Sequence, residues 1–80
     1  MKARIFTTPT CIKCQRLKKD LSEGDYDLEI ELVDASTPEG LAEAKEKNIA
    51  TVPTTYIYDD DGKEIGVGHN IDEIEKILNL

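Results

Sequence analysis

Two hydrophobic periods alternate along the chain and predict seven elements. Lys2–Thr7 carries Ala3, Ile5 and Phe6 and reads as a short first strand with imperfect alternation. "TPT", at 8–10, marks a turn, because Pro9 cannot sit inside a strand. From Cys11 to about Ser22 the period lengthens: Cys14, Leu17 and Leu21 recur at spacings of three and four. Lys13, Gln15, Arg16, Lys18 and Lys19 fill mostly the other face, and Gly24 is expected to close this helix ahead of a loop, "EGDYD". A second strand follows over 28–34, with Leu28, Ile30 and Leu32 alternating against Glu29, Glu31 and Val33.

"DASTPEG" is a helix start. Either Ser36 and Glu39 form a capping box, or Thr37 caps with Pro38 at the first helical position. Leu41, Ala44 and Lys45 are expected to face inward on a short helix that ends near Asn48. Thr54–Tyr58 is β-branched and aromatic, Asp60-Asp61-Gly62 is turn chemistry, and 63–67 returns as the next strand. Asn70, with Glu73 three residues on, caps a last helix striped by Ile71, Ile74, Ile77 and Leu78. The order is β-α-β-α-β-β-α, an α/β protein. A helix between the first two strands makes them parallel with a right-handed crossover, and the last two strands form a hairpin. Eighty residues leave room for one domain, spanning 1–80, with one mixed four-stranded sheet flanked by three helices.

Charge then narrows the function classes. The net charge is −7, but residues 1–19 carry six basic groups and no acidic one, while the rest carry four basic and seventeen acidic groups. An acidic body argues against nonspecific nucleic-acid binding, which depends on broad phosphate neutralisation. The basic segment either attracts a small anion or acidic surface or is a solvated helix face. No apolar run is long enough for a membrane span or for a secretory signal, so the expected location is the cytoplasm. There thiols are kept reduced, and a disulfide is transient and catalytic more often than structural. A bridge between Cys11 and Cys14 would also close too short a loop to stabilise much.

Three roles stand open for this pair: redox centre, half of a metal site, or two small hydrophobes at a helix start. A thiol attacks only when ionised, and Cys11 falls where a strand gives way to a helix, so the helix dipole and Lys13 favour its thiolate. Cys14, one turn further in, is placed to attack a mixed disulfide formed at Cys11. A CxxC that opens a helix inside a βαβ pattern is a considerably stronger redox signal than the bare motif. A zinc site needs more ligands than two cysteines and the lone His69, so zinc or an iron–sulfur cluster would have to be bridged by a second copy.

Cys11-Ile12-Lys13-Cys14 after the first strand, Thr51-Val52-Pro53 before the third, and a glycine-containing turn after the fourth together resemble the thioredoxin superfamily. The chain is most similar to the glutaredoxin branch, including the small redoxins that serve ribonucleotide reductase. The resemblance covers nearly the whole chain. It implies a thioredoxin-like fold with sheet order 2-1-3-4, a cis bond between Val52 and Pro53, and a Val52 backbone that pairs with a bound peptide or glutathione by strand addition. It implies contact between glutathione's carboxylate and the turn at Gly68-His69-Asn70. It also implies catalytic Cys11 (nucleophile) and Cys14 (resolving), with Lys13, Thr51, Val52, Pro53, Gly68, His69 and Asn70 binding substrate.

The chain departs from that pattern in two places. Ile12-Lys13 stands where glutaredoxins often have Pro-Tyr, and Gly66-Val67-Gly68-His69-Asn70 stands where they have Gly-Gly and an acidic pair. Both departures count against glutathione specificity. His69 has two readings, as a wall of the active-site groove or as a solvated residue ahead of a helix cap. The expected function is a dithiol–disulfide oxidoreductase, an electron carrier in redox homeostasis, working as a monomer without cofactor on protein or small mixed disulfides. Its reductant would be a thioredoxin-reductase-type flavoenzyme or glutathione, with a metal or cluster carrier as the alternative.

Overall fold

A computed structural model describes residues 1–24 and 26–78. The elements run β1 (Lys2–Thr7), α1 (Ile12–Glu23), β2 (Glu29–Asp34), α2 (Pro38–Glu46), β3 (Thr54–Tyr58), β4 (Glu64–Gly68) and α3 (Ile71–Leu78). The sheet order is β2-β1-β3-β4, with β1 parallel to β2 and the other two pairings antiparallel. Order and topology are those expected, and each boundary falls within two residues of its expected place. Asp25, in the expected loop after α1, lies outside the described residues. Gly24 ends α1 in an extended conformation (φ −77°, ψ 156°) and not in the left-handed one a glycine cap usually takes.

One face of the sheet carries the core. Ala3 and Ile5 of β1 and Ile57 of β3 are fully buried with Leu17 and Leu21 of α1 and Ile74 of α3. Ile71, Ile77 and Leu78 pack against this cluster, so the apolar stripe of α3 faces as predicted. The outer strand is less well covered. Ile30 and Leu32 pair with Ala3 and Ile5 but remain 40% and 46% exposed, because β2 is an edge strand.

The other face is covered by α2, and here the inward residues differ from expectation. Thr37 is the N-cap, its hydroxyl accepting the Gly40 N–H at 3.1 Å, with Pro38 following. Gly40 and Ala44 are buried, whereas Leu41 and Lys45 are exposed. The helix sits too close to the sheet for a large side chain, since a Cβ on Gly40 would collide with the Asp34 carbonyl. Small residues at i and i+4 therefore make the contact. Glu43, on the same side, meets Arg4 of β1 in a two-pronged ion pair, one prong at 3.0 Å. Beside it Phe6 packs edge-on to Tyr56, with ring centroids 5.8 Å apart.

The β3–β4 turn is built from Asp59, whose carboxylate accepts the N–H groups of Asp61 (3.0 Å) and Lys63 (2.8 Å). Gly62 takes a left-handed φ of +82°, which a residue without Cβ adopts at no steric cost. Among the described residues no helix is long and apolar enough to cross a membrane.

Candidate active site

The chain leaves β1 at Thr7, turns through Pro9, and enters α1 at Cys11. The Cys11 N–H donates to the Thr8 carbonyl at 3.2 Å, and the Cys11 carbonyl starts the helix by accepting the Gln15 N–H at 3.2 Å. Cys11 is the N-cap, with extended backbone (φ −81°, ψ 107°). Its Sγ fills the place usually taken by a Ser or Asp oxygen, accepting the Cys14 N–H at 3.0 Å. No acidic residue stands in the first turn of α1, so the partial positive charge of the helix end reaches this sulfur unopposed from its own helix.

Cys11 and Cys14 are joined in a disulfide, their Cα atoms 5.2 Å apart. Their surroundings differ: Cys11 is half-buried at the surface, and Cys14 is fully buried. An incoming thiolate meets Cys11 first. Among the described residues no cluster of three or more His, Cys, Asp and Glu is disposed to hold a metal ion.

A groove of about 300 Å³ opens beside the first turns of α1, lined by Ile12 and Lys13 between the cysteines but by neither cysteine itself. Ile12, Lys13, Arg16, Leu17 and Asp20 of α1 form one wall; Pro53, His69, Asn70 and Ile71 form the other. Four of the seven expected substrate-binding residues, Lys13, Pro53, His69 and Asn70, therefore converge here. Thr51, Val52 and Gly68 do not line it. Thr51 is exposed and its carbonyl accepts the Thr54 hydroxyl (2.7 Å), Val52 is half-buried, and Gly68 is buried in β4 opposite Thr55. The Val52–Pro53 peptide is cis.

Ile12, Arg16 and Asp20 were missed as groove residues, although their spacing of four on a helix starting at Cys11 puts them on one face. Ile12 is the most conspicuous, being 80% exposed beside the reactive sulfur. Of the four basic residues after Cys11, Lys13 and Arg16 face the groove and Lys18 and Lys19 do not. Arg16 is drawn along α1 by Asp20, 3.9 Å away.

His69 lines the groove and is at the same time solvated, its side chain 53% exposed. Asn70 caps α3 by accepting the Glu73 N–H at 2.9 Å, as predicted. Glu73 reaches back one residue further than a capping box requires, accepting the His69 backbone N–H at 3.0 Å and lying 3.1 Å from its Nδ1. The imidazole contact and then the backbone donor hold the Glu73 carboxyl below its ordinary pKa.

No protein-family model matches the chain, and no curated protein sequence matches it. Solved structures do. Thioredoxin 1 of the thermophilic eubacterium Thermosipho africanus superposes with a TM-score of 0.72 and 26% identity over 99% of this chain and 88% of that one. Thioredoxin O2 of Arabidopsis thaliana, in its oxidised state, gives 0.70 and 19% over 94% and 67%. Oxidised thioredoxin of Plasmodium falciparum gives 0.65 and 17% over 98% and 77%. The chain thus has a thioredoxin-like fold with a CxxC pair opening α1, the arrangement of a thiol–disulfide oxidoreductase.

Proposed function

We propose that this protein is a small redoxin that reduces protein disulfides and is recharged by a thioredoxin-reductase-type flavoenzyme rather than by glutathione. Cys11 attacks the substrate disulfide and Cys14 resolves the mixed disulfide, expelling the reduced substrate. The observation that carries this order is the asymmetry of the pair: the Cys11 sulfur caps α1 at the surface, and Cys14 is sealed beneath it. The groove supplies a docking wall with an exposed apolar side chain, Ile12, and two cations, Lys13 and Arg16. Extended segments of a partner protein fit such a wall.

The choice of reductant rests on the start of α3. There the His69 N–H is already taken by Glu73 and the Glu73 N–H by Asn70. A glutathione carboxylate seeking donors at this turn meets a carboxylate in place, and like charges repel. The reading extends to a monomer in a reducing compartment such as the cytoplasm, with ribonucleotide reductase among the protein substrates such redoxins serve.

Paired turnover assays test it. Insulin or another protein disulfide should be reduced with NADPH and thioredoxin reductase, and much more slowly with NADPH, glutathione and glutathione reductase. Turnover only in the glutathione system would reverse the assignment. Stoichiometric metal in anaerobically purified protein, without disulfide reduction in either system, would replace this reading with that of a metal carrier.

A further inference from the structure

The core holds two polar side chains among the described residues, Thr54 and Thr55, neighbours on β3. Thr54 is satisfied, its hydroxyl donating to the Thr51 carbonyl at 2.7 Å. Thr55 is fully buried, and its hydroxyl has no hydrogen-bond partner among the described residues. An unpaired buried hydroxyl is costly, and valine would fill the same volume without that cost. Such a group invites the question of which state of the protein uses it.

Register locates it. Thr55 pairs with Ile5 of β1 on one side and Gly68 of β4 on the other. Side chains alternate along a strand, so Thr55 faces the same way as Ile57, toward the side of the sheet where Leu17 and Leu21 of α1 and Ile74 of α3 pack. Ile57 lies opposite Ala3, whereas Thr55 lies opposite Ile5, nearer the end of β1 from which α1 departs. Beyond that end, just outside β3, Pro53 is buried and lines the groove with Leu17. Thr55 thus lies between Pro53 and the core, on the sheet face that α1 and α3 cover and toward the end where the first turn of α1 begins. The one buried side chain of that turn is Cys14.

We propose that Thr55 is a positioning residue for the resolving cysteine, and this rests on the oxidoreductase reading above. In the reduced protein its hydroxyl donates a hydrogen bond to the Cys14 sulfur and stabilises the thiolate. The Cys14 proton passes to solvent. The thiolate then forms the Cys11–Cys14 bond as the bond between Cys11 and the substrate sulfur breaks. The electron pair of that broken bond leaves with the substrate thiolate, which takes a proton from solvent. Thr55 itself transfers nothing. In the disulfide form the hydroxyl makes no hydrogen bond to the Cys14 sulfur, so the contact belongs to the reduced protein alone.

The test uses Thr55→Val, which keeps the shape, and Thr55→Ser, which keeps the hydroxyl. Equilibration against a dithiol reference should show the Val variant shifted toward the disulfide by about tenfold, about 30 mV more negative for a two-electron couple. Ser should restore the wild-type value. Rapid mixing of reduced protein with a chromogenic aromatic disulfide releases two thiols, the first by Cys11 attack and the second by Cys14. The Val variant should slow the second release by about tenfold and leave the first unchanged. Equal potentials and equal second-phase rates in wild type and Val variant would overturn the proposal, as would a stability change identical in both redox states. Absence of any exchange by wild-type protein would instead bring down the oxidoreductase reading, and this inference with it.

Discussion

Replacing Ile12 with serine should separate protein substrates from small ones. Ile12 occupies the first position of α1 between the two cysteines, lines the groove, and is 80% exposed. Complete burial of an isoleucine side chain is worth about 1.5–3 kcal/mol. A partner that covers most of what now faces water would therefore draw about 1–2 kcal/mol from it. At 1.4 kcal/mol per factor of ten, loss of that contact lowers kcat/KM by roughly 5–30-fold. Serine and isoleucine have similar helix propensities, so α1 itself is not weakened. A change beside the cysteines also alters intrinsic thiol reactivity, and the assay has to cancel that effect. Reduced protein is reacted in parallel with insulin and with a small aromatic disulfide, and the ratio of the two rate constants is compared between variant and wild type. The ratio should fall by the stated factor for insulin. An unchanged ratio, with both rates moving together, would show that no protein substrate touches Ile12 and would refute the docking wall.

Alkylation of Cys11 in the reduced protein should follow an apparent pKa below the free-thiol value of about 8.5, because its sulfur sits at the α1 N-terminus; rates measured against pH decide it. Acidification should erode the Arg4–Glu43 contribution. The guanidinium holds the Glu43 carboxyl below its ordinary 4.5, so the stabilisation is full above that pH and is lost as pH falls through the lower folded value. Glu43→Gln should thus cost about 1 kcal/mol at neutral pH and progressively less below pH 4.5, as read by urea unfolding. Gly40→Ala should destabilise by about 1–3 kcal/mol, although alanine is ordinarily the better helix former, because the added Cβ meets the Asp34 carbonyl. A higher Tm for this variant would show that α2 can lift off the sheet freely.

Periodicity was enough to place every element, because each strand and helix here has turn residues at its ends: Pro9, Thr37-Pro38, Gly62 and Asn70. It was less informative about which side of α2 faces the sheet. Hydrophobicity favours Leu41, but the spacing between helix and sheet is set by a backbone carbonyl and admits only Gly40 and Ala44. The same reasoning applies to Ile30 and Leu32, whose alternation gives their face correctly but cannot say that β2 is the outer strand. At the site, the cysteines and Pro53 were legible as motifs. The groove wall of Ile12, Arg16 and Asp20 required following one helix face, and Thr55 required the register between β1 and β3. The reach of Glu73 to His69 was not legible, since a capping box points to the residue after it.

The burial of Cys14 has a kinetic corollary. Both electron donor and electron acceptor must reach the carrier through Cys11, at one surface and one sulfur. A donor and an acceptor then cannot occupy the protein together, and each visits a different oxidation state in turn. Steady-state turnover should accordingly be ping-pong, with parallel double-reciprocal lines as either partner is varied. Excess of one partner acts as a competitor of the other. The ratio of the two, as much as the concentration of the carrier, sets the flux.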